Sequence, residues 1–485
     1  MKRLIKYSCI AFFILGQFSC SNWLDIGSED RIMEKDLFST KDGFLTALNG
    51  VYIELLDNSL YGSTLTWGAA DILAQYYDCS DEDHIYRSLS RFDAEVKNKQ
   101  FESTWSKAWF LINNVNTLIE HCDEGKAVLD EASYHIIKGE ALGLRGLLHF
   151  ELFRIFGPVY SIDPDQKCMP YARSSDLTVL EMLTAEQVQD YILKDFRAAE
   201  QLLAVSDPVI TEGALFSDAE NGLSNAMRYR SLRLNYYAVQ AYIARLALYV
   251  GNTSLASEYA EKVIRETQVE HEWFPFIASD AALDPDRKDR IYQPEVLFGL
   301  YHLSRKQIYE ANFSNNLAHT RVLRPTDDYI DWMYDQNLND YRYTQQWESM
   351  TDPENVEEHH KFLVKYMETA DGGKGFNYLM PLMRISEMYL IAAECQEEES
   401  LQYEYLNKLR NARRIEDLEA GGNILEAIEK EYRKEFIGEG QLFWFYKRRN
   451  QNEIVAGSEE YIPVQKENYL FRLPQAEQDH RGTTY

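Results

Sequence analysis

Apolar residues recur every three to four positions over most of this chain, the spacing that turns one face of an α-helix toward a core. Phe44, Leu45, Leu48, Val51, Tyr52 and Leu55 follow it behind Ser39 and Asp42, a capping-box signal, and predict a first helix ending near Leu56. Trp105, Trp109, Ile112, Val115, Leu118 and Ile119 predict a second helix. Ile136, Ile137, Ala141, Leu144, Leu148, Leu152 and Ile155 predict a third, which stops at Gly157-Pro158. The same periodicity predicts helices over 188–203, 228–250 and 255–267.

Two stretches read as helical hairpins. Tyr249, Gly251, Ala256 and Tyr259 sit near a turn much as in a tetratricopeptide repeat, and 384–398 followed by 401–413 forms a second pair. No strict 34-residue repeat is present, so the expectation is helix pairs stacked on their neighbours. Between the helices, 58–99 and 273–378 are dense in aromatic residues, Asp, Asn and Gly without clear periodicity. Long irregular stretches are usually functional, so a ligand surface is expected there. The fold class that follows is all-α, a scaffold of tetratricopeptide-like helix pairs carrying a loop-rich half.

The N-terminus changes the picture. Lys2, Arg3 and Lys6 precede an apolar run from Cys9 to Phe18 that ends at Ser19-Cys20, with no acidic residue before it. That is the layout of a cleavable secretory signal, and the run is shorter than the roughly 20 residues needed to cross a bilayer. A small residue before cysteine points to lipidation of Cys20, although Gln17 stands where an aliphatic residue is usual. Ordinary secretion with Cys20 as a free thiol is the alternative. Residues 1–19 then form the signal, 20–36 a polar tether, and 37–485 one globular unit with insertions at 58–99 and 273–378. Loss of Lys2, Arg3 and Lys6 with the signal takes the formal charge from −28 to −31. So acidic a chain repels polyanions, which argues against nucleic acid and leaves the lipid as the sole membrane contact. Cys79, Cys122, Cys168 and Cys395 are scattered and read as buried free thiols.

Candidate chemistry concentrates in the two irregular stretches. Trp67, Tyr76, Tyr77 and Tyr86 alternate there with Asp71, Asp78 and Arg87, and Trp273, Trp332, Tyr334, Tyr341, Tyr343 and Trp347 lie beside Asn337, Asn339, Asp340 and Arg342. Flat rings flanked by carboxylates, amides and guanidinium groups suit sugars, whose C–H faces stack and whose hydroxyls hydrogen-bond. The knot Asp78, Asp81, Glu82, Asp83 and His84 lacks the frame of a calcium loop and reads as solvated. His359-His360 reads as wet surface, and Gly372-Gly373-Lys374-Gly375 lacks a phosphate-loop frame. No H-E-x-x-H, G-x-S-x-G or Walker pattern occurs, so neither enzyme activity, cofactor nor metal is expected. Glu140, Arg145, Arg154, Glu394, Arg410, Glu431 and Arg433 lie on helices, where charged residues usually form structural pairs and caps.

Several segments together resemble the SusD-like (RagB/SusD) outer-membrane lipoproteins. Cys20-Ser-Asn-Trp-Leu-Asp25 is similar to their mature start, and Trp105-x-x-x-Trp109 with Asn113, Asn114 and Asn116 to their W-x-x-x-Y…N helix. Glu140-Ala141, Leu144-Arg145, His149-Phe150, Leu152, Arg154 and Phe156-Gly157 resemble E-A-x-x-L-R…Y-F-x-L-x-R-x-F-G. Arg384 to Glu394, Leu406-Asn407-x-x-Arg410, Glu431 to Gly440, Lys447-Arg448 and Leu473-Pro474-Gln475 continue the likeness in order. Phe445 stands where many members carry Asp, which points to a subfamily whose terminal helix packs differently. The resemblance implies a surface-exposed, lipid-anchored outer-membrane protein. It would capture an oligosaccharide, or in some members a peptide, for a SusC-like TonB-dependent transporter. A helical-repeat scaffold lipoprotein that binds only proteins is the reading from another class.

Overall fold

The structure is a computed structural model, describing residues 33–481 apart from 126, 177, 215–224, 285, 287, 353–354 and 370–374. The signal segment, Cys20 and Gly372-Gly373-Lys374 therefore lie outside the described residues. Eleven helices frame the scaffold and the site. They are α1 (Lys41–Glu54), α2 (Ala94–Glu124), α3 (Glu131–Phe156), α4 (Ala185–Ser206), α5 (Tyr236–Tyr249), α6 (Thr253–Ile264), α7 (Asp327–Tyr334), α8 (Ile385–Cys395), α9 (Glu399–Ala412), α10 (Ile424–Phe436) and α11 (Leu442–Arg449). The fold is predominantly helical. Each of α2 to α5 packs on the next in sequence, α6 then meets α8, and α8 packs on α9 and α10.

Local chemistry sets the helix starts. Asp93 caps α2 by accepting from the Glu95 and Val96 amides, which carries that helix well upstream of its first tryptophan. Asp130 caps α3, Thr184 and Gln187 form a full capping box on α4, and Asn235 caps α5. On α1 the cap is Thr40, whose Oγ1 accepts from the Gly43 amide at 3.2 Å, and not Ser39, whose hydroxyl donates to the Asp36 carbonyl.

The close fit of α3 and α4 has a visible cause. Val188, Ile192, Phe196, Ala199 and Leu203 of α4 are all fully buried at helical spacing. Gly146 of α3 lets Phe196 seat against its backbone, since a Cβ there would stand 2.9 Å from the ring. Lys447 of α11 closes the other end of α3, its buried ammonium donating to the Arg154, Ile155 and Gly157 carbonyls at 2.8–2.9 Å.

Two expectations need correction. The helix expected over 228–250 is broken at a short 3-10 turn, Arg230–Leu232, before α5 begins. Arg230 is fully buried there and bonds both Glu140 and Asp207, so a tertiary demand overrides the periodic pattern. The stretches 58–99 and 273–378 are also more ordered than their sequence suggests. They hold the short helices Ala69–Leu73, Arg87–Ser90, Arg305–Asn312 and Tyr341–Gln345, besides α7 and the start of α2. Strands β1 (Val296–Tyr301), β2 (Trp347–Thr351), β3 (His359–Leu363) and β4 (Leu379–Arg384) lie in or just beyond the second stretch. β1 pairs antiparallel with β4, and β2 with β3.

Candidate functional site

The two irregular stretches meet at the surface. The Asp78 amide donates to the Arg324 carbonyl at 2.9 Å and the Ile85 amide to the Thr320 carbonyl at 3.1 Å, so segment 78–86 runs beside 319–324. His319 Nε2 lies 3.2 Å from Asp81 Oδ2, and buried His84 approaches the Val322 carbonyl at 3.5 Å. Asp81 also accepts the Asp83 amide at 2.8 Å, and that bond holds its carboxyl below the ordinary range.

The surface continues onto α7 and the β2–β3 hairpin. Thr326 caps α7, and Asp327 in its first turn accepts the Lys361 amide at 2.8 Å. Asp327 also meets His360 Nδ1 at 3.1 Å, while His360 Nε2 faces Asp352 at 3.4 Å and Glu358 at 3.7 Å. One turn on, Asp331 accepts from the Tyr343 hydroxyl at 2.6 Å and pairs with Lys361, whose ammonium lies 3.1 Å from the same hydroxyl. Burial works against the charge on Lys361, but the hydrogen bond to Asp331 raises its pKa above the usual value. Trp332 is 40% exposed, with Lys430 and Arg433 at 5.8 and 5.6 Å from its ring. An open polar band results, carrying carboxylates, a lysine and histidines, with Ile85 and Tyr86 toward one end and Tyr343 and Trp332 toward the other.

The sequence-predicted ligand residues divide sharply. Tyr86, Asp78, Trp332 and Tyr343 belong to this band. Trp67, Asp71, Tyr76, Tyr77, Tyr334, Tyr341 and Trp347 are buried and offer a ligand no open face. Their polar atoms are largely spent on the fold: Tyr76 donates to the Arg433 carbonyl at 2.9 Å and Tyr77 to the Trp67 carbonyl at 3.1 Å. Tyr341 donates to the Ala412 carbonyl, and Tyr334 stacks under Tyr343 with centroids 5.3 Å apart. Asp71 accepts the Gly438 and Gly440 amides at 2.6 and 3.0 Å, and burial raises its pKa despite those bonds. The turn it clamps needs glycine, because Gly440 has φ +69° and a Cβ there would stand 2.0 Å from the Leu65 carbonyl oxygen. Trp273 lies elsewhere, half-buried, stacked on His271 at 4.9 Å and donating to the Ile210 carbonyl. Sequence alone does not single out His319, Arg324, Asp327, Asp331 or Lys361, and it reads His360 as wet surface. The dense run of charge from His319 to Asp331 is the one visible signal for the first four.

Neither a metal site nor a membrane span marks the described residues. No group of three or more His, Cys, Asp or Glu there has the geometry to hold a metal ion, and no helix there is long and apolar enough to cross a membrane. Cys79, Cys122, Cys168 and Cys395 are free thiols, each pushed up to about 12 chiefly by burial.

Two family models match the chain in order. One, described as starch-binding and associating with the outer membrane, covers residues 22–211, and the second, the SusD family, covers 283–481. The chain belongs to the SusD-like family. A crystal structure of a SusD superfamily protein from Bacteroides thetaiotaomicron superposes with TM-score 0.70 at 22% identity, covering 91% of this chain and 98% of the other. A SusD-like carbohydrate binding protein from Bacteroides vulgatus gives 0.67 at 20% identity, covering 92% and 98%. Surface glycan-binding protein A from Bacteroides thetaiotaomicron gives 0.65 at 17%, again covering 92% and 98%. These likenesses establish a shared fold. In sequence, the SusD-like protein P25 of Formosa agariphila is 23% identical over 170 residues, 33% of this chain and 32% of that protein, so the match spans about a third of the relative's length. The SusD-like fold frames the departure at Phe445: the ring is buried in this chain, 4.9 Å from Tyr432 and beneath Arg448 and Arg449, a packing role that Asp could not fill.

Proposed function

We propose that this protein captures an oligosaccharide at the cell surface, without turning it over, and delivers it to a SusC-like TonB-dependent transporter of the outer membrane. The observation that carries this reading is the open band where 78–86, 319–331 and the β2–β3 hairpin meet. It combines partly exposed rings with a chain of carboxylate, histidine and lysine groups able to exchange hydrogen bonds with sugar hydroxyls. Family membership supports it, as do the names of two fold relatives, one a carbohydrate binding protein and one a glycan-binding protein. A lipid on Cys20, with 20–36 as tether and 37–485 as one globular domain, would hold the band within reach of the transporter.

The test is binding by the full-length protein. Calorimetric titration with neutral oligosaccharides is expected to give saturable binding and no shorter products after prolonged incubation. Steady product release would overturn the non-enzymatic reading. Binding of oligopeptides and not of glycans would move the cargo to the peptide alternative. Mass spectrometry of the membrane-extracted protein is expected to find acyl groups on Cys20, and Cys20→Ser to release it. Co-purification with the transporter tests the partner.

A further inference from the structure

Helix α2 presents a second aromatic surface, lined by residues other than those of the loop band. Trp105 is buried and Trp109 half-buried, with ring centroids 5.5 Å apart, and Trp109 also stands edge to face on His149 at 5.6 Å. Opposite them run residues 170–176 and 178–180 and the last described helix, Gln475–Arg481, which leave two cavities of about 400 and 350 Å³. The cavities share Trp109, Thr178, Leu180, Glu477 and His480, so they form one elongated trough with Trp109 at its centre. Each lobe falls within the size range of small-ligand sites. No lining residue comes from 78–91, 312–334 or 347–363.

The lining chemistry is selective. Glu102, Asp176 and Glu477 supply carboxylates and Asn113 an amide, while Arg481 is engaged by Glu477 at 2.6 Å and by the Leu180 carbonyl at 2.9 Å. Among the described side chains Asp176 accepts only from Ser174, at 3.1 Å, and Val179, 83% exposed, forms an apolar lip. Carboxylate acceptors therefore stand beside a flat ring whose own indole N–H has no hydrogen-bond partner among the described residues.

We propose that this trough is a second, independent binding site for a neutral oligosaccharide. The half-buried Trp109 offers a face to sugar C–H groups, and the carboxylates and amide accept from hydroxyls. The acidic lining of a chain with formal charge −28 repels uronic or sulfated chains. The elongated shape suits a run of rings better than one. The ligand class rests on the glycan reading above; the trough itself does not.

The test separates the two sites. Full-length protein is titrated with malto-, cello-, xylo- and mannohexaose, alongside Ala476→Trp, Trp109→Ala and Trp332→Ala. Ala476 is exposed on the trough wall, so A476W fills the trough without touching the core, and its melting curve should match the parent's. The expected result is a hexaose that binds the parent at two sites, one weakened at least about tenfold by A476W and W109A and unaffected by W332A. If the parent binds a hexaose and A476W titrates identically, the trough proposal falls while the glycan reading stands. If the parent binds none of the hexaoses, the glycan reading fails and the proposed ligand of the trough fails with it.

Discussion

Helix α3 and the charge cluster around α10 are equally sealed from water, yet opposite physics holds them. On α3, Leu144, Leu147, Leu148, Phe150, Leu152, Phe153 and Ile155 are at most 1% exposed and pack by area and shape. Around α10, Glu435 meets Arg342 and Arg384 at 2.8 Å and Arg413 at 2.6 Å. Arg342 also reaches Asp340 and Glu431, Arg413 reaches Glu295, and Lys365 and Arg384 share Glu439. Apolar packing tolerates gradual loss, whereas a buried charge set is stable only when each member keeps its partners. The helical scaffold thus packs mainly by contact area around a few local buried pairs such as Arg154–Glu151, and the loop-bearing half is tied by a larger connected charge set.

The sharpest way to break this comparison is to remove the hub. Glu435→Ala leaves three dry guanidinium groups short of a carboxylate and is expected to cost about 3–5 kcal/mol in urea unfolding. Glu435→Gln should fall between it and the parent, because it keeps hydrogen bonds and loses only charge. A loss below about 1 kcal/mol would mean that the arginines find other partners and the cluster is not what holds this half together. On the apolar side, Leu148→Ala opens a cavity and is expected to cost about 3 kcal/mol at every pH from acid to neutral.

That pH independence is the contrast that matters next. Glu431 is held at about 2: burial alone would raise it, but Lys434, Arg342 and Arg410 more than offset this. Its folded value lies below its ordinary value of 4.5, so its contribution is complete above about 4.5 and is lost as pH falls through about 2. The term is worth at most about 3 kcal/mol. Unfolding measured from pH 5 down to about 2 should therefore fall steeply for the parent and less steeply for Glu431→Gln. L148A should run parallel to the parent throughout. Equal slopes for E431Q and the parent would remove Glu431 from the account of acid stability.

The same contrast explains what the sequence disclosed. Periodicity located α1 to α6, α8 and α9, because apolar burial leaves a local signature of 3.6-residue spacing. The break before α5 was hidden, since Arg230 finds Glu140 on α3 and Asp207 just past the end of α4. So were α7, the β2–β3 hairpin and the four- and five-residue helices, which are too short to show a period. Ring density in the irregular stretches does not separate core rings from exposed ones. Tyr76, Tyr77, Tyr334 and Trp347 look in sequence like Tyr86 or Trp332, and only tertiary packing separates a ring that builds the core from one that faces outward. The polar members of the band were harder still, because Asp327, Asp331 and Lys361 acquire meaning only when α7 lies beside β3.

The smallest expected stability effect is the most informative about function. Trp332 sits on α7 at the edge of the charged half, 5.4 Å from Tyr329, with two cations near its ring and much of its face in solvent. Trp332→Ala should change unfolding stability by about 1 kcal/mol, well below the loss for L148A, since the ring is 40% exposed and its removal opens no sealed cavity. If the ring faces ligand, the same substitution should weaken oligosaccharide binding about tenfold, equivalent to about 1.4 kcal/mol. The two readouts must separate: a stability loss approaching that of L148A would place Trp332 among the scaffold aromatics, and unchanged binding would remove it from the ligand surface. Only a ring whose removal spares the fold and costs affinity belongs to the part of this molecule that meets another.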